Sequence, residues 1–203
     1  MGKRVLFILL LTWTTVFAWA GDTIRLQLRD GVADKELQEV LFFENIFVEQ
    51  VDFSGSGLRG KSYAVTLDEF KEGRLVASSV LFDGTEDDIF RVKNDGASLR
   101  FFFKIAGQKL KVSLHGSFFS SKTKYFGLDA DTDSYTVKDF FGRSEEMQVG
   151  LHERRALFAV ITPTRHVDGT ASYCEVVQSG VRPEQLGDYF HIPHYFLVSI
   201  EFR

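Results

Sequence analysis

The chain has 203 residues, of which 44% are hydrophobic and 26% charged, and a formal net charge of −4; this excludes a disordered polyelectrolyte and argues against nucleic acid or an anionic membrane surface as partner. A single cysteine excludes an intramolecular disulfide, so the fold must rest on an apolar core, for which 21 Phe supply rings with no polar atom to satisfy.

Residues 1–20 have the three parts of an export leader. Lys3 and Arg4 give a positive start, 5–17 is an apolar run broken only by Thr12, Thr14 and Thr15, and Ala18 and Ala20 place small residues where a signal peptidase reads. The expectation is a mature protein beginning at Gly21, periplasmic, cell-surface or secreted, and folded as one domain over 21–203. The leader takes Trp13, Trp19 and two basic residues with it, leaving a more acidic chain without tryptophan. No Cys follows the cleavage point to carry a bacterial lipid anchor. No later stretch approaches about 18–20 uninterrupted apolar residues, so no membrane span is expected in the mature chain.

From residue 23 onward apolar and polar residues alternate, the pattern of half-buried strands. Ile24, Leu26 and Leu28 share one side of the first run, Phe47, Val51 and Phe53 one side of a later run, and Tyr63, Val65 and Leu67 one side of the next. Lys71-Glu72-Gly73-Arg74 predicts a tight hairpin that returns the chain over 75–82, and Ala106-Gly107-Gln108 predicts another between 99–105 and 110–114. Asp83-Gly84 and Asp95-Gly96 are turn dipeptides. Further strands are predicted at 124–128, 135–137, 156–162, 173–177 and 195–202. The segment 34–43 suits either a helix or a strand, since Leu37, Val40 and Leu41 have helical spacing while 40–43 is a short apolar run. A short helix opened by Pro183 is predicted over 183–190. Turn signals every eight to twelve residues give an all-β, mostly antiparallel fold: a two-layer β-sandwich with one or two short helices.

Several residues invite a chemical reading. Asp129, Asp131 and Asp133 alternate in Asp129-Ala130-Asp131-Thr132-Asp133-Ser134-Tyr135, as carboxylates converging on Ca²⁺ would. The sixth loop position is Ser134 rather than Gly, and Phe140 stands where a bidentate Glu belongs, so a solvated turn competes with a calcium site. His191 and His194 resemble half a metal site, but Pro193 between them prevents a helical presentation. Cys174 could meet His166 across a turn at Asp168-Gly169, although its surroundings read as a plain strand with nothing to lower a thiol pKa. No nucleophile elbow, phosphate loop, dinucleotide fingerprint or zinc-protease helix is present. Catalysis would need carboxylates that the fold brings together. Six tyrosines, Tyr63, Tyr125, Tyr135, Tyr173, Tyr189 and Tyr195, are the available platforms for a glycan.

From position 61 to the end the sequence resembles a family of uncharacterised exported proteins of Bacteroides-type gut bacteria. The resemblance is carried by Ile161-Thr162-Pro163, by Asp168-Gly169-Thr170-Ala171-Ser172-Tyr173-Cys174-Glu175-Val176, by Leu186-Gly187, and by Phe190-His191-Ile192-Pro193-His194-Tyr195-Phe196-Leu197. It implies a periplasmic or surface setting and brings no activity, cofactor or catalytic residue with it. The function these features suggest is non-catalytic binding of a protein or cell-envelope partner. A carbohydrate-binding module, calcium-assisted through Asp129, is the alternative, and a hydrolase with fold-assembled carboxylates the third reading.

Overall fold

The structure is a computed structural model and describes residues 23–165 and 171–203. Residues 1–20, predicted as an export leader, and His166 and Asp168-Gly169, where a turn is predicted, lie outside the described residues.

The elements in chain order are β1 (Thr23–Asp30), α1 (Lys35–Phe43), β2 (Ile46–Ser54), β3 (Tyr63–Lys71), β4 (Arg74–Asp83), β5 (Gly96–Ala106), β6 (Lys109–His115), β7 (Lys124–Gly127), β8 (Thr136–Asp139), β9 (Glu146–Gly150), β10 (Arg154–Ile161), β11 (Thr164–Arg165), β12 (Ala171–Ser172), α2 (Cys174–Gln178), α3 (Leu186–Phe190) and β13 (His194–Phe202). They build a six-stranded sheet, β7-β6-β5-β2-β1-β9, and a five-stranded sheet, β4-β3-β13-β10-β8, with every pairing antiparallel. Alternation explains the two-sheet arrangement. Leu99, Phe101, Phe103 and Ile105 of β5 are buried from one face, Phe196, Val198, Ile200 and Phe202 of β13 from the other, and both sets belong to one apolar cluster between the layers. Phe158 of β10 sits at its centre, with ring centroids 5.0 Å from Phe101 and 5.7 Å from Phe103. The protein is an all-β sandwich.

Both hairpins form as two-residue loops. Lys71 pairs with Arg74 across Glu72 and Gly73, whose φ values of 47° and 70° are the left-handed pair that matches the twist of the flanking strands. Gly107 and Gln108, at 55° and 58°, do the same between Ala106 and Lys109. The open alternative at 34–43 resolves to helix α1. Asp34 caps its N-terminus by accepting the Leu37 backbone N–H at 3.0 Å, which gives the helical option a start signal that a strand would not use.

One expectation is corrected. The segment 173–177 is not a strand: β12 ends at Ser172 and the chain turns into α2. Tyr173, Val176 and Val177 lie three and four residues apart, and this helical spacing lets all three pack on the outer face of the five-stranded sheet. Leu186 and Ile192 join them over Phe70, Ala159, Ile161, Tyr195 and Leu197, so the segment 173–193 covers a second, smaller core. The helix predicted at 183–190 is there as a one-turn 3₁₀ segment opened by Pro183 that runs into α3.

Strand β4 is an edge of its sheet, with Leu75, Val76 and Val80 exposed. Its pairing to β3 shifts register twice, and Lys124 reaches across to donate to the Val80 carbonyl at 2.6 Å. Among the described residues no helix is long and apolar enough to cross a membrane.

Candidate functional site: two clefts at one end of the sandwich

The 31–45 connection carries α1 across the end of the six-stranded sheet. No residue of α1 is buried; Gln38 and Leu41 are half-covered, while Leu37, Val40, Phe42 and Phe43 are exposed, Phe43 at 83%. Such a helix contributes little to the core. It is held by its cap, by Gln38 donating to the Val32 carbonyl, and by the edge-on contact of Phe42 with Phe47 at 5.9 Å. Between α1 and the start of β2 lies a cleft of about 340 Å³, with walls that include Val32, Leu41, Phe42 and Phe47 and with Glu49 among its lining residues.

Glu49 is the unusual member. It shares the inward side of β2 with Phe47, Val51 and Phe53, so strand alternation drives a carboxyl into the mouth of the apolar layer. Among the described residues no cation is paired with it. Burial first, then the charges of Asp139 and Asp30, push its carboxyl from 4.5 up to about 7. Asp30 continues the inward side of β1 beyond Ile24, Leu26 and Leu28, and Asp139 continues that of β8 beyond Val137. Carboxylates from both sheets therefore act on one another at this end, while the Asp139 carboxylate accepts the Phe141 backbone N–H at 2.9 Å. The arrangement can take up a cation flanked by apolar groups.

A second cleft, of about 450 Å³, lies where the loop 129–135 meets the 162–164 segment and the turn from α3 into β13. Its loop wall is pinned by a polar network. His194 Nδ1 lies 2.7 Å from the Tyr135 hydroxyl and accepts the Asp129 backbone N–H at 3.2 Å. A backbone N–H can only donate, so Nδ1 carries no proton, the Tyr135 hydroxyl donates to it, and Nε2–H donates to Glu69 at 3.2 Å. The buried imidazole is neutral. Burial is the leading cause of its depressed pKa, opposed by Asp129 and Glu69 and reinforced by Lys71. Lys71 closes the network, with Nζ 2.8 Å from Asp129 and 3.2 Å from Glu69.

Two of the three aspartates singled out from sequence have other partners. Asp129 is held by Lys71, whose hydrogen bond keeps its carboxyl below the ordinary range; Asp131 accepts the Asp133 backbone N–H at 3.3 Å and caps a one-turn helix; Asp133 is exposed. Among the described residues no group of three or more His, Cys, Asp and Glu side chains is placed to hold a metal ion. Millimolar Ca²⁺ is therefore expected to leave the melting temperature where a chelator leaves it, because a ligand must bind the native state to stabilise it. A rise with Ca²⁺ in a thermal scan would show that the loop rearranges around the ion. His194 is in the polar network, whereas His191 faces the second cleft. Of the tyrosines, Tyr189 also lines that cleft.

No protein-family model, curated protein or solved structure matches the chain. What defines it is the all-β sandwich with two clefts at one end.

Proposed function

We propose that this is an exported, non-catalytic binding protein that docks a partner protein segment in the cleft beneath α1, the segment presenting a basic side chain between apolar ones. The observation that carries this reading is the unpaired, half-buried Glu49 carboxyl in an aromatic-walled cleft, beside a helix that exposes Leu37, Val40, Phe42 and Phe43. Apolar surface clustered around a buried charge is costly to leave in water and gains when a complementary surface covers it. A lysine or arginine would neutralise the repulsion among Glu49, Asp30 and Asp139, while its apolar neighbours cover α1. Export rests on the leader composition of residues 1–20, and the bacterial envelope setting on the resemblance carried by 161–197.

Selection of random peptides displayed on phage against the full chain tests this reading. Enriched sequences are expected to carry Lys or Arg within one or two residues of aromatic or aliphatic side chains. Binding should weaken with Phe42→Ser, and the basic preference should fade with Glu49→Gln. No enrichment, or enrichment indifferent to both substitutions, refutes it.

A further inference from the structure

We infer that the second cleft is a binding site for a neutral saccharide, separate from the cleft beneath α1. Its lining includes Ser134, Thr162, Thr164, Tyr189 and His191 and, among the described residues, contains no Lys, Arg, Asp or Glu. The described lining therefore offers hydroxyl and imidazole hydrogen bonding together with an aromatic face. A pyranose ring offers the matching surfaces: a C–H face that stacks on a tyrosine, and a fringe of hydroxyls that both donate and accept.

Three features argue that the cleft is built to receive such a ligand. First, Tyr189 is 66% exposed, yet its ring is supported edge-on by Phe190 at 4.8 Å, so it stands as a held platform at the cleft wall. Second, the Thr164 Oγ1 is buried with no hydrogen-bond partner among the described residues, although Thr164 lines the cleft. A buried hydroxyl without a partner costs about 1–3 kcal/mol, a penalty that a ligand hydroxyl reaching it would relieve. Third, the opposite wall is fixed in advance. Tyr135, His194 and Asp129 pin the loop, and the Tyr173 hydroxyl donates to the Ser134 carbonyl at 3.0 Å. Little ordering is left to oppose binding. His191 adds its imidazole from a left-handed backbone position, φ 56°, that closes α3. The volume falls in the range of small-ligand sites, roughly 300–1,000 Å³.

An array of neutral and acidic oligosaccharides, followed by calorimetric titration of the retained glycans against the full chain, tests this inference. Retention of neutral glycans is expected, with affinity lowered about tenfold or more by Tyr189→Ala and several-fold by Thr164→Val. Tyr189 is exposed, so the variant's melting curve should match that of the wild type, and Phe43→Ser on the exposed side of α1 should leave glycan affinity unchanged. Retention of acidic glycans alone, no retention at all, or affinities indifferent to both cleft substitutions would overturn it, whatever the peptide selection shows.

Discussion

Glu49→Gln is expected to stabilise the protein by roughly 2–3 kcal/mol at pH 8 and by little at pH 5. The folded-state pKa of this carboxyl is about 7 and its ordinary value 4.5. Between these values the folded chain holds a proton that the unfolded chain has released, so raising the pH favours unfolding. The contribution of protonated Glu49 is therefore complete below pH 4.5, is lost as the pH climbs to about 7, and is constant beyond. Gln has the shape of the protonated acid and no charge to bury, which removes that loss. Urea midpoints at the two pH values measure the difference between wild type and variant. A variant equally or less stable than wild type at pH 8 would mean that the ionised carboxyl is well solvated or paired. Glu49 would then cease to be a charge awaiting a partner.

The largest destabilisation is expected at Phe158. Phe158→Ala should cost roughly 3–5 kcal/mol, because the ring is fully buried in a strand flanked on both sides and its removal leaves a void that Phe101, Phe103 and Phe141 cannot fill without strain. The denaturant midpoint should fall with no change in slope. Phe43→Ala is the internal comparison, with the same chemical deletion at a ring 83% exposed, and should stay within about 0.5 kcal/mol. Similar losses at both sites would contradict the assignment of inner and outer residues from which the clefts are built.

The sandwich was legible because its strands obey a short-range rule. Alternation at Ile24, Leu26 and Leu28, or at Tyr63, Val65 and Leu67, needs only neighbouring residues, and the turn at Glu72-Gly73 announces itself by composition. The segment 173–177 misleads because its five residues fit either period, and its helical form depends on an apolar sheet face that the chain completes about 20 residues later at Tyr195 and Leu197. The clefts depend on longer reach still. Glu49 was missed: its place between Phe47 and Val51 on the apolar side of a strand was a signal, but its consequence requires Asp30 and Asp139 from two other strands. Asp129 drew attention as one of an acidic series, whereas its partner, Lys71, is 58 positions away. His194 likewise finds Glu69 and Tyr135 only once β3, β13 and the 129–135 loop are assembled.

The outermost strand β4 has a further consequence. An unpaired β-edge bearing Leu75, Val76 and Val80 is a template on which another chain could zip and start a fibril. Two register breaks bend this ribbon, and the ammonium of Lys124 occupies one of the acceptors an incoming strand would need. The side chain that reaches from β7 to β4 of the other sheet thus works, with the two register breaks, against edge-to-edge pairing.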